Sequence, residues 1–187
     1  MDISKIPAGA APPWDVNVII EIPKGASEPV KYEFDKESGA LFVDRFLNTA
    51  MYYPANYGFI PHSLSEDGDP VDVLVVSNTS VVPGCVVRCR PIGALLLRDE
   101  AGGDEKIIAV PIEKLQGYYS GVRSFEELRP QMRAQITHFF EHYKDLDRGK
   151  WVSVGEWVGP EEAARLIEEA IARASRASGA GRTVQPR

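Results

Sequence analysis

The chain has 187 residues, 44% of them apolar and 26% charged, with a formal net charge of −6 at pH 7. That length makes a single domain with a real core the default, and the composition is that of an ordinary globular protein. The negative balance argues against a general nucleic-acid or anionic-membrane binder, so any phosphate-bearing ligand must be held by a few placed cations.

At the N-terminus, the first sixteen residues lack the apolar core of a signal peptide, and no run approaches membrane-span length. The cytoplasm is therefore the expected compartment. Residues Asp15–Ile22 read as a strand stopped by Pro23. Val30–Asp35 alternates apolar and polar, Glu37-Ser38-Gly39 turns, and Ala40–Phe46 alternates again, which is a hairpin pattern. Tyr57–Ile60 is a short strand, and Val71–Ser77 follows as an apolar run. After the Pro83-Gly84 turn, Val86–Leu97 is extended, Arg98–Glu105 is a polar loop, and Lys106–Ile112 is another strand. Cys85 and Cys89, if both lie on one strand, stand ~13 Å apart, beyond the roughly 7 Å that a disulfide allows. Both are expected to be unpaired, small buried filler.

The period then changes. Ser124 and Glu127 have capping-box spacing, and Met132, Ile136, Phe139, Phe140, Tyr143 and Leu146 recur at helical intervals. Trp151–Trp157 returns to extended structure. Pro160 suits a first helical position, and Leu166, Ile167, Ala170, Ile171 and Ala174 form a second amphipathic stripe. Residues 1–187 read as one domain, with about 176–187 a mobile basic tail. Many strands followed by two helices predict an α+β fold with a closed or nearly closed sheet.

The chemistry concentrates in Asp67-Gly68-Asp69-Pro70-Val71-Asp72-Val73. Two carboxylates at ~4 Å repel by about 4 kcal/mol at an effective dielectric near 20. Such a cluster is kept cheaply only when it is fully solvated or filled by cations. The apolar run that follows argues against full solvation, although a solvated turn remains the competing reading. An EF-hand loop does not fit, because its fifth position would be Val71 and its sixth Asp72. A second acidic stretch, Asp99–Lys106, also lies between strands. Alone it reads as a solvated hairpin tip, yet a barrel would bring both turns to one mouth. All these donors are oxygen, which selects Mg²⁺ or Mn²⁺ over zinc.

Lys31 and Glu33, two apart on a strand, share a face, with Tyr32 and Phe34 on the other. That face is either plain surface or the lining of a polar mouth. Tyr53 and Tyr57 are core filler or phosphate donors. His138-Phe139-Phe140-Glu141-His142 matches the H-x-x-E-H pattern of some zinc peptidases. Neither acidic turn has a role in that chemistry, so this helix face is read as meeting solvent or another subunit. His62 reads as an ordinary loop residue. There is no phosphate-cradling glycine loop and no Ser or Cys nucleophile motif, which leaves water as the attacking group.

Taken together, these residues resemble the soluble family I inorganic pyrophosphatases in their bacterial-type form. The Asp67–Val73 segment resembles that family's signature. The likeness extends through Glu21-Ile22-Pro23, Lys31-Tyr32-Glu33, Asp35–Arg45, Tyr53–Gly58, Arg88–Pro91, Asp99–Lys106 and His138–Asp145, to about residue 175. It implies a five-stranded OB-like β-barrel with flanking α-helices. It also implies hydrolysis of pyrophosphate with several Mg²⁺ ions per subunit, Mn²⁺ as a substitute, and a hexameric assembly. By the same resemblance, Asp67, Asp72 and Asp104 hold a first metal, Asp72 touches a second, and Asp99 with Asp104 holds a third. Asp69 is the proton acceptor. Lys31, Arg45, Tyr57, Tyr143 and Lys144 bind phosphate, and Glu21, Glu33, Tyr53, Glu100 and Lys106 support the site. Two rival readings stand beside it: a metal-dependent phosphohydrolase acting on nucleotides, and a non-enzymatic OB-type binding module.

Overall fold

The computed structural model describes residues 1–26, 28–100 and 102–180. Among the described residues eight strands form: β1 (Val16–Ile22), β2 (Val30–Phe34), β3 (Leu41–Phe46), β4 (Asn56–Phe59), β5 (Asp72–Val75), β6 (Val86–Asp99), β7 (Gly102–Pro111) and β8 (Val152–Val158). Two α-helices, α1 (Pro130–His142) and α2 (Pro160–Ala180), bracket β8.

The main sheet runs β1-β4-β5-β7-β6-β8, and β1 also pairs with β6. The first five of these strands therefore close into a ring, the α+β barrel that the sequence pattern implies, and β8 extends from β6 outside it. The hairpin β2–β3 is a separate two-stranded sheet. Alternation along the strands sorts their residues into two apolar clusters. Leu74, Ile108, Tyr57 and Leu95 pack with Phe139, Phe140 and Tyr143 at α1. Val73, Val75, Ile107 and Ala109 pack with Ala163, Ile167 and Ala170 of α2. The ring is thus shared between two helix-covered cores.

One pairing positions the site. β5 and β7 are parallel, with Asp72 opposite Lys106. Both strands therefore start at the same end of the ring. β6 runs antiparallel to β7 and ends there, with Asp99 opposite Gly102. In β1 the register slips between Ile20 and Ile22 against β4, leaving Glu21 as an extra residue. Ile20 and Ile22, which regular alternation would put on one face, fall into different clusters. The bulge thus re-aims Glu21, a common device beside active sites. Gly58 sits at this junction, where a Cβ would stand 1.9 Å from the Ile19 carbonyl oxygen.

Several boundaries differ from the sequence expectations. The stretch Arg98–Glu105 is mostly ladder: β6 runs to Asp99, β7 starts at Gly102, and Arg98 pairs with Gly103. Its polar residues mask a strand because Asp99, Glu100 and Asp104 line a cavity and Arg98 is exposed. Ser124 and Glu127 bracket only a 3₁₀ turn at Phe125–Glu127, and α1 starts at Pro130. Proline disfavours a helical residue before it, and Arg129 is extended (ψ 133°), so no helix can run through from Ser124. Leu146 lies beyond the end of α1 and is exposed. Cys89 is buried, but Cys85 is exposed, and both thiols are free. The proposed tail from 176 begins as helix, since α2 reaches Ala180. There Ser175 and Ser178 donate back to the Ile171 and Ala174 carbonyls, which lets serine sit in a helix. Residues 181–187 of that expected tail lie outside the described residues. Among the described residues, no helix is long and apolar enough to cross a membrane.

Candidate active site

A cavity of about 270 Å³ opens at the end of the ring where β5 and β7 begin. All fifteen residues named from the sequence line it. Asp67 and Asp69 come from the turn before β5, Asp72 from its first position, and Asp99 and Glu100 from the end of β6. Asp104 and Lys106 come from β7, and Glu21 from the β1 bulge. Lys31, Glu33 and Arg45 come from β2–β3. Tyr57 comes from β4, Tyr53 from the segment before it, and Tyr143 and Lys144 from the end of α1. A larger groove of about 610 Å³ runs along α1 past Met51 and His138, but no carboxylate lines it. The histidine pair lies outside the acidic cavity. The two rings lie tilted with their centroids 4.6 Å apart, and His142 Nδ1 meets Asp145 at 2.8 Å. His62 has φ +56° and contacts the Ser4 carbonyl oxygen through Nε2.

Lysines sit between the acids. Lys106 Nζ donates to Asp72 Oδ2 and Asp104 Oδ1, each at 2.5 Å. Lys144 Nζ donates to Asp99 Oδ2 at 2.7 Å, and Lys36 Nζ to Asp69 Oδ1 at 3.0 Å. Lys31 pairs with Glu33 and lies 3.5 Å from Asp44. Sequence reasoning did not single out Lys36, Asp44 or Lys150. Lys36 lies in the turn after β2, where no periodicity marks it. Asp44 is the extra residue of a bulge opposite Lys31 and Tyr32, a register slip that alternation cannot show. Lys150 pairs with Glu100 at 3.3 Å across a gap of fifty residues.

Burial tunes these groups. Lys106 is almost fully enclosed, which alone would lower its ammonium, yet Asp72 and Asp104 hold it above the ordinary lysine value. Burial raises Asp104, with Lys106 partly opposing. Burial also pushes the Tyr53 and Tyr57 phenols well above 10, and Tyr143 upward, so all three remain protonated donors. Burial pushes Glu21 up to about 8; the Phe34 amide that it accepts at 2.9 Å opposes this, and the Asp72 and Glu33 charges add to it.

That last shift has a testable consequence. Glu21 is 6% exposed, and its folded form holds a proton more tightly than its unfolded form. Its cost to stability is absent below about pH 4.5, grows as pH rises, and is complete above about pH 8. At ~1.4 kcal/mol per pKa unit, the full cost is on the order of 5 kcal/mol. Glu21→Gln keeps the acceptor for Phe34 and removes the charge. In EDTA it should leave the melting temperature nearly unchanged at pH 5 and raise it by several degrees at pH 9. Equal shifts at both pH values would contradict this.

The cavity's chemistry suits hard divalent cations. Its wall carries eight carboxylic acids and six cationic side chains, and no His or Cys. An all-oxygen donor set is that of Mg²⁺ or Mn²⁺. Among the described residues, no three His, Cys, Asp or Glu side chains form a ready-made ligand shell.

Comparisons with known proteins agree with this chemistry. A family model described as inorganic pyrophosphatase matches residues 18–175. An inorganic pyrophosphatase of Caulobacter vibrioides is 61% identical over 173 residues, covering 92% of this chain and 97% of its own. That of Rhodospirillum rubrum is 60% identical, covering 92% and 96%. The crystal structure of the inorganic pyrophosphatase from Thermus thermophilus superposes with a TM-score of 0.88 at 40% identity, covering 94% of this chain and 99% of that one. A structure from Anaplasma phagocytophilum, described as an inorganic phosphatase, gives 0.89 at 49% identity, covering 91% and 99%. A matching family model over most of the chain, relatives aligned along nearly their whole length and one shared barrel lead to a single assignment: this chain belongs to the family I inorganic pyrophosphatases, in their bacterial-type form.

Proposed function

We propose that this chain hydrolyses inorganic pyrophosphate to two orthophosphates in the cytoplasm, using Mg²⁺, with Mn²⁺ as a substitute. The observation that carries the reading is the meeting of two acidic turns, 67–72 and 99–104, in one cavity walled by cations and phenols. A polyanion cannot enter a wall already rich in carboxylates unless further positive charge enters with it. Asp67, Asp72, Asp99 and Asp104 would hold that charge. Bound there, the ions supply electrostatic stabilisation and a coordinated water that ionises near neutral pH.

The protein's own groups do the rest. Lys31, Arg45 and Lys144 offer charged donors to phosphate oxygens, and Tyr57 and Tyr143 add phenolic donors. The Nε of Arg45 is buried 3.3 Å from Asp44 Oδ2, a carboxylate that holds the guanidinium in the cavity wall. Asp69 takes a proton from the attacking water. Its amide donates to Asp67 Oδ1 at 3.0 Å, which ties the base to a metal-binding neighbour. Lys106 bridges Asp72 and Asp104, Glu33 orients Lys31, and Glu100 engages Lys144 and Lys150. Glu21 and Tyr53 shape the inner wall. The two free thiols suit a reducing compartment. We further propose that residues 1–187 act as a single catalytic domain and that it assembles as a homo-hexamer, which light scattering would measure.

The deciding assay is phosphate release from pyrophosphate and from ATP, with Mg²⁺ and with EDTA. Rapid Mg²⁺-dependent release from pyrophosphate, slow release from ATP and none in EDTA is the expected result. Release from ATP at the same rate would favour a nucleotide phosphohydrolase. Mg²⁺ at 100 times its dissociation constant should also stabilise the fold by about 2.7 kcal/mol. Identical melting temperatures in EDTA and excess Mg²⁺ would count against cation binding at this site.

A further inference from the structure

We infer that Arg173 of α2, which lies outside the cavity, is a positioning residue: by gripping the main chain at Leu64 it sets where Asp67 and Asp69 stand. Among the described residues, none of α2 lines the cavity, so a direct role in binding is not available to it. The grip has two parts. Leu64 N donates to the Ala170 carbonyl oxygen at 3.1 Å, and Arg173 Nη1 donates to the Leu64 carbonyl oxygen. Both main-chain groups of one loop residue are thus held by one helix face, and Arg173 Nη2 lies 3.9 Å from Glu66. The helix is itself anchored by Ala163, Ile167 and Ala170, which are buried in one cluster with Val87, Cys89 and Ala94 of β6.

From Leu64 the constraint passes along the loop through short bonds. Ser65 N donates to the Asp69 carbonyl oxygen at 2.6 Å, and Gly68 N to that of Ser65 at 3.2 Å. These close a tight turn around Asp67 and Asp69. Ser65 Oγ donates to Glu105 at 2.9 Å, beside Asp104 on β7. One residue after the Arg173 contact, the chain therefore links both acidic turns. Freeing Leu64 releases the anchor of that turn without removing any side chain of the cavity. Groups that support metal ligands in this way typically contribute about 10–100-fold in metal affinity or activity.

This inference rests on the metal-binding role proposed for Asp67. The test compares wild type, Arg173→Ala, Arg173→Lys and Arg165→Ala, the last breaking only exposed ion pairs on the same helix. Mg²⁺ affinity is measured by calorimetry, loop opening by amide exchange at residues 64–69, and kcat and KM for pyrophosphate by phosphate release. Arg173→Ala should weaken Mg²⁺ binding by about tenfold, the lower end of the supporting-group range. It should also speed exchange across the loop and raise the Mg²⁺ needed for half-maximal turnover, with KM for the metal-saturated substrate little changed. Arg173→Lys, which keeps one donor for Leu64, should recover most of the affinity, and Arg165→Ala should match wild type. A lower melting temperature with wild-type Mg²⁺ affinity and loop exchange would overturn the inference, leaving Arg173 a plain stabilising contact. Should Arg173→Ala fail to fold, Arg173→Lys decides: wild-type loop exchange in it overturns the inference, and faster exchange with weaker Mg²⁺ binding supports it. Absent phosphate release from wild type would instead defeat the proposed function.

Discussion

Asp69→Asn should lower kcat by about 10²–10⁴-fold, the usual contribution of a positioned general base, while Mg²⁺ binding stays close to wild type. The amide matches the carboxylate in size but cannot take the proton. Its side chain is 76% exposed and makes one exposed ion pair, with Lys36. Stability should therefore move by no more than about 0.5 kcal/mol. Asp72→Ala makes the contrast. Asp72 stands at the β5–β7 junction and shares Lys106 with Asp104. Its loss should damage metal affinity and turnover together. Phosphate-release kinetics and calorimetry on both variants separate the roles, and a fully active Asp69→Asn protein would remove the assigned base.

Lys106→Met should cost the metal-free protein about 3 kcal/mol at neutral pH, the lower end of the penalty for breaking a buried ion pair. The lower end applies because Asp72 and Asp104 keep 29% and 17% side-chain exposure, so water recovers part of the loss. Methionine fills a similar volume, which confines the effect to charge. With Asp72 and Asp104 holding it above the ordinary lysine value, the ammonium keeps its charge throughout the neutral and moderately alkaline range. The deficit should therefore persist there, then shrink in acid as Asp104, which burial raises, takes up a proton. Saturating Mg²⁺ should also reduce it, because an ion between the two acids replaces the missing ammonium. Urea unfolding at pH 7, with and without Mg²⁺, reads both effects; a deficit that Mg²⁺ does not change would argue that Asp72 and Asp104 do not share a cation.

Strand and helix identities were largely legible, because β1, β5 and the inner half of β6 are apolar runs and both helices carry regular stripes. The site was legible through its motif and family resemblance, since composition alone left both acidic turns open to a solvated reading. What stayed hidden has common physical causes. Register slips moved Glu21 and Asp44 off their expected faces. The ladder of 98–99 with 102–103 looked like a loop because Asp99, Glu100 and Asp104 beside it line a polar cavity. Lys150 and Arg173 act across long chain separations that no local pattern encodes. Pro130 outweighed a well-spaced capping pair at Ser124 and Glu127.

The hairpin β2–β3 shares no ladder with the ring, yet it carries Lys31 and Arg45, while the aspartates are built into the ring's rim and the turns attached to it. Two of the proposed anion contacts therefore stand on a different support from the proposed metal ligands. Sequence drift in the hairpin can adjust how firmly a diphosphate is grasped without disturbing the ions, and the two affinities are free to evolve at different rates.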